Sequence, residues 1–162
     1  DAALEINHAT GDNLRLTYND ADGSATYYAD FQTTASGGLS VDASGGTIEL
    51  NNATIYTPSS DNVIAAATGI TTAMLVKRII RVAGNAGDID ITADPQIADG
   101  LADGQMIIIQ GTHDTNTVTF DTGTGLKLNS AGSLTVGLGD NMQLMWDSGE
   151  SLWMEISRSN NT

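Results

Sequence analysis

An all-β fold is what the sequence predicts, and three observations predict it. Short apolar runs alternate with Gly/Asp/Asn/Ser turns across residues 88–158. No long helical period interrupts them, and that rhythm marks a β-sandwich or barrel. Eighteen glycines stand against two prolines, the composition of a chain with many tight turns. The expected architecture is a thin N-terminal β-stem over 1–57, a linking segment over 58–73, and a C-terminal antiparallel β-sandwich knob of jelly-roll type over 74–162.

In the stem, Leu4-Glu5-Ile6 is a short strand candidate and Gly11-Asp12 turns the chain. Residues 14–18 alternate apolar and polar, as a half-buried strand does. A polar turn over 19–24 leads into 27–33, rich in aromatics and threonine. Ala35-Ser36-Gly37-Gly38 then recurs as Ala43-Ser44-Gly45-Gly46, each copy ahead of a short strand, 39–41 and 47–50. Two copies are fewer than a free-standing solenoid needs. They suit a narrow stem in which several chains cover one another. Pro58 to Asn62 is a breaker cluster, and Ser60 or Asp61 is placed to cap a short helix over 63–67 ending at Gly69.

From Met74 the reading is strand after strand. Residues 74–82 form the longest candidate. Ile89 and Ile91 face away from Asp88 and Asp90. The continuous run Met106-Ile107-Ile108-Ile109 reads as a strand covered on both sides. Val118 with Phe120, Leu126 with Leu128, and Leu134 with Val136 and Leu138 each share a face. Residues 142–146 and 152–157 complete about eight strands, the number a sandwich takes.

Net charge is −14, from 20 acidic and 6 basic residues. A field of that sign opposes DNA, RNA and anionic lipid as partners. With no cysteine there is no disulfide framework, thiolate metal site or cysteine nucleophile. No run approaches the roughly 18 apolar residues of a membrane-spanning helix. The chain opens at Asp1 with neither methionine nor a signal-like segment, as expected of a piece of a longer protein.

The second half resembles a C-terminal knob of tail fibres and other virion appendages of tailed bacteriophages. The matching stretches are Pro95-Gln96-Ile97-Ala98-Asp99-Gly100, Asp103-Gly104-Gln105, Gly111, Asn116-Thr117-Val118-Thr119, Gly125-Leu126, Gly139-Asp140, Trp146-Asp147 and Trp153-Met154-Glu155-Ile156-Ser157-Arg158. The first half resembles the β-rich stems of such fibres through residues 14–18, Asp30-Phe31, 37–41 and 45–50. The resemblance implies an intertwined homotrimer on an extracellular virion, in contact with other virion proteins. It implies a non-enzymatic tail-fibre segment that binds a host-surface ligand, a glycan in the leading version. A capsid decoration or head-fibre protein is the alternative, and a polysaccharide-degrading spike enzyme a third.

Ligand binding is expected on knob loops, because loops on rigid sheets carry function. The residues concerned are Asp99 and Asp103, then His113, Asp114 and Asn116, then Trp146, Asp147 and Trp153. Exposed indoles beside Asp and Asn hold sugars, but packing at a core edge or trimer contact is the commoner fate of large aromatics and is favoured. Lys77, Arg78 and Arg81 hold half the positive charge and are expected to pair with carboxylates between subunits. No catalytic residue is assigned. Neither His8 nor His113 has a metal-spaced partner, and no G-x-S-x-G elbow is present. A carboxylate pair for glycoside cleavage needs a separation that sequence does not give. No metal or cofactor is assigned either. Ca²⁺ at Asp20/Asp22, Asp88/Asp90 or Asp99/Asp103 competes with ordinary turn chemistry. The latter is favoured, because Ala25 and Phe31 stand where an EF-hand loop beginning at Asp20 needs Gly and Glu.

Overall fold

A computed structural model describes residues 12–17, 28–34, 37–48, 50, 52–129 and 132–161. The chain divides into two compact units, Asp1–Thr54 and Ile55–Thr162. Every regular element among the described residues is a strand, so the all-β expectation holds.

In the first unit, β1 (Asp12–Thr17), β2 (Tyr28–Thr33) and β3 (Leu39–Ala43) form an antiparallel sheet in chain order. Arg15 and Asp30 face each other across β1 and β2. The guanidinium donates two hydrogen bonds of 2.7 Å to the carboxylate and lies 4.0 Å from the Tyr28 ring centre. Those hydrogen bonds hold Asp30 below the ordinary carboxylate range. No described residue of this unit joins the protein's buried apolar cluster. Leu39 and Leu50 are 76% and 68% exposed. The expected strand at 4–6 and the 19–24 turn lie outside the described residues.

The second unit holds two sheets. β4 (Asn62–Ile64), β5 (Ile79–Gly84), β7 (Met106–Gly111), β11 (Asn141–Asp147), β12 (Leu152–Ser159) and β9 (Leu126–Lys127) form one, in the order β4-β5-β7-β11-β12-β9. β10 (Ser133–Val136), β8 (Val118–Asp121) and β6 (Ile89–Asp90) form the other. Both sheets contribute to one buried cluster that includes Ile80, Ile107, Ile109, Val118, Phe120, Leu134, Leu144 and Trp153.

The structure corrects four local expectations. Residues 63–67 are not a helix: β4 and a turn occupy them, and Ile64 and Ile70 enter the core. Strand β5 begins at Ile79, because backbone hydrogen bonds from Met74, Leu75 and Lys77 to Thr71, Thr72 and Met74 make turns of the preceding stretch. The large sheet is mixed rather than antiparallel, with β4-β5, β5-β7 and β12-β9 parallel. Parallel neighbours need a crossover, and between β5 and β7 the chain leaves to lay β6 beside β8 in the other sheet. Leu138 is 56% exposed, since β10 stops at Val136 and the chain turns through Gly137 to Gly139.

Candidate functional site

Strand alternation decides which expected site residues remain available. Trp146 and Trp153 are directly paired on β11 and β12 and face inward. They are 4% and 0% exposed, their rings tilted at 53° with centroids 5.3 Å apart. The Trp153 Nε1–H donates to the Ala98 carbonyl at 2.9 Å. Neither indole offers a ring face to a ligand. Their place in the ligand set is corrected to the core packing that the same residues also suggested. Gly100 lies against Trp146: a Cβ there would stand 2.3 Å from the ring.

The 99–104 and 147–152 loops do come together. Asp103 accepts hydrogen bonds from the backbone N and the hydroxyl of Ser148, at 2.9 and 3.1 Å. Those donors hold its pKa below the ordinary value. Asp147 Oδ1 accepts the Gly149 and Glu150 amides at 2.9 and 3.1 Å. Both carboxylates therefore have structural work in shaping the hairpin tip. A shallow depression of about 210 Å³ lies between them, lined by Asp103, Gly104, Met145, Trp146 and Asp147. Asp99 is exposed nearby.

The 113–116 loop sits at the other end of the large sheet, for β7 runs from Met106 to Gly111 and the loop follows it. His113 Nδ1 meets the Thr115 amide and hydroxyl at 3.1 and 3.0 Å. Asp114 accepts the Leu138 amide at 2.9 Å, and the Asn116 carbonyl accepts the Gly84 amide at 2.7 Å. Beside this loop is a concavity of about 290 Å³ lined by Asp61, Arg81, Gln110, Gly111, Thr112, Leu138 and Gly139.

Its rim is built by local necessity. Gly111 lies under the 137–139 turn, where a Cβ would stand 2.0 Å from the Gly137 carbonyl oxygen. Asp140, 4% exposed, accepts the Gly137 amide through Oδ2 and the Asn161 amide through Oδ1. The carboxylate thereby fixes the turn that carries Leu138. Cross-strand pairing sets Arg81 directly beside Gln110. The side chains of Asp61, Arg81 and Gln110 make no hydrogen bond or ion pair among the described residues.

Of the three expected contact cations, Arg78 lies over the Tyr56 ring at 4.8 Å. Lys77 is exposed in the turn before β5, and Arg81 belongs to the concavity. By sequence Asp61 has a helix-capping role and Leu138 a strand-face role, and Gln110 and Thr112 have no role in a site. Gln110 closes the apolar run 106–109, and the Gly111 after it was the one local signal of a close approach.

Among the described residues no three His, Asp or Glu side chains converge on a metal-sized site. Asp88 accepts the Thr117 amide and hydroxyl, both at 2.9 Å, and these donors lower its pKa. The Asp20/Asp22 pair lies outside the described residues.

No family model matches the chain, and no curated protein matches it. A solved structure described as "Structure of a chaperone-substrate complex" is similar over 83% of this chain at 15% identity, with a TM-score of 0.38. This chain spans 21% of that one. A likeness of that degree fixes neither fold nor function.

Proposed function

We propose that the chain is a non-enzymatic segment of a tailed-phage virion appendage of the tail-fibre type. In this reading it is a homotrimer with a β-stem and a sandwich-like knob that binds a host-surface glycan. The observation that carries the glycan reading is the concavity at the Gly111 end of the large sheet. Asp61 supplies carboxylate acceptors, Arg81 a fork of donors, Gln110 both, and Thr112 a hydroxyl. None of the first three is committed inside the described chain, and Leu138 offers an apolar surface beside them. Convergent polar groups at the edge of an apolar patch suit a polyhydroxylated ring. The lining holds one carboxylate, Asp61, whereas glycoside hydrolysis uses two across the scissile bond. A single carboxylate there supports reading the site as one of recognition rather than cleavage.

The test is titration of the intact chain with purified bacterial lipopolysaccharide and capsular oligosaccharides. Saturable binding is expected. Arg81→Gln is expected to weaken it by at least about tenfold, the loss of one charge-assisted hydrogen bond. Arg81 is exposed and unpaired, so its loss leaves the fold intact. Binding unchanged in the variant, or absent from the whole panel, contradicts the site.

A further inference from the structure

The large sheet has a second face that its own unit does not cover. Side chains alternate along β7 and β11 between buried and half-buried. The buried set meets the smaller sheet in the shared core. The other set points away from it. On that outward face Met106, Met145 and Met154 stand in one unbroken cross-strand row, Met145 being paired with both of the others. Ile79 and Ile108 are likewise paired. Ile156, left unpaired by a bulge in β12, is 44% exposed.

The charge on this face differs from the rest of the chain. Over the whole chain carboxylates outnumber cations, 20 to 6. At the outward strand positions there is one, Asp147, at the end of β11, and its Oδ1 is held by the Gly149 and Glu150 amides. The cations at outward strand positions are Arg81, beside Gln110 at the glycan end of the face, and Lys127, paired with Met154 of the methionine row. Lys127 makes no ion pair among the described residues.

We infer that the methionine face, Met106, Met145 and Met154 with Ile79, Ile108 and Ile156, is where a second copy of this chain docks. The inference rests on the proposed homotrimer and names the surface that would build it. Two copies each carrying −14 repel over most of their surfaces. They can approach closely where one contributes apolar area and an unpaired lysine, with the acidic surface of the next copy completing the pair. Burial there removes apolar surface from water, and methionine adapts to an uneven partner. The contact is then heterologous, and a heterologous contact that closes makes a ring.

The experiment is sedimentation velocity of the intact chain and of Ile156→Glu and Met145→Glu, with far-ultraviolet circular dichroism of each. Ile156 is unpaired and exposed, so its replacement leaves the fold of a lone chain in place even if Met145→Glu does not. The expected result is an oligomeric parent and a folded Ile156→Glu chain whose association is weakened at least about tenfold, a carboxylate being forced into a desolvated contact. Glycan binding per chain should persist in that variant. A folded Ile156→Glu chain that associates as the parent does removes this face from the interface while leaving the trimer and the glycan site standing. A monomeric parent overturns the inference together with the homotrimer it rests on.

Discussion

Trp153→Ala is expected to destabilise the second unit by about 3–5 kcal/mol, the range for removing a large buried aromatic. The ring is fully buried and packs on Trp146 at 5.3 Å. Its Nε1–H satisfies the Ala98 carbonyl. Truncation therefore opens a cavity, removes an aromatic pair and leaves an acceptor without its donor. Both tryptophans belong to this unit, so Trp146 fluorescence in the variant reports its unfolding alone. The measurement is a urea titration. A midpoint within about 0.5 kcal/mol of the parent, the size of an ordinary surface substitution, contradicts the packing described.

The second large effect is expected at Glu155. Its side chain is 1% exposed and meets Arg158, itself 26% exposed. It also accepts the Asn129 amide at 2.7 Å, while Arg158 reaches the Asn129 carbonyl at 3.0 Å. The pair thus pins the chain after β9 to β12. Glu155→Gln leaves a mostly buried guanidinium without its counter-charge and is expected to cost about 3 kcal/mol, the low end for breaking a buried pair because Arg158 keeps partial access to water.

Hydrogen bonding from Arg158 holds Glu155 below its ordinary value, and the pair raises Arg158 in turn. A depressed carboxylate adds stability that is complete above its unfolded value, about 4.3 for glutamate, and is lost as pH falls through the folded one. Asp30, Asp88 and Asp103 shift the same way. Stability of the parent should therefore fall on acidification below about pH 4, and Glu155→Gln should make that fall shallower. An unchanged acid limb in the variant would show that this pair carries no linkage.

Much of the fold was legible because period-two alternation is a local signal. Val118 with Phe120, Leu126 with Leu128, and Ile91 against Asp90 lie as the pattern indicates. Strand partners were not legible. That β5 runs parallel to β7, with β6 assigned to another sheet, depends on pairing between distant segments that no local pattern encodes. The run 106–109 illustrates the division. Its apolar residues on both faces announced cover on both sides, while the second unit supplies cover on one.

The site divides the same way. By sequence, turn chemistry stands beside ligation for Asp103, while Asp114 and Asp147 are expected only as ligands; the hydrogen bonds of all three shape turns. Arg81 was visible as a cation. Its neighbours Asp61, Gln110 and Leu138 come from separate stretches that only the sheet brings together.

In the proposed trimer this chain completes itself with copies of itself. In the first unit, Leu14, Leu16, Leu39, Ile48 and Leu50 are all exposed, and no described residue joins the buried apolar cluster. Among the described residues the sheet has little apolar cover, and association with like chains would hide both its apolar face and its edges. The most direct test is the mass of the intact chain in solution, measured by sedimentation equilibrium across a concentration series. A species of three chains is expected. A monodisperse monomer at every concentration, with slow amide exchange in β1, β2 and β3, would contradict it.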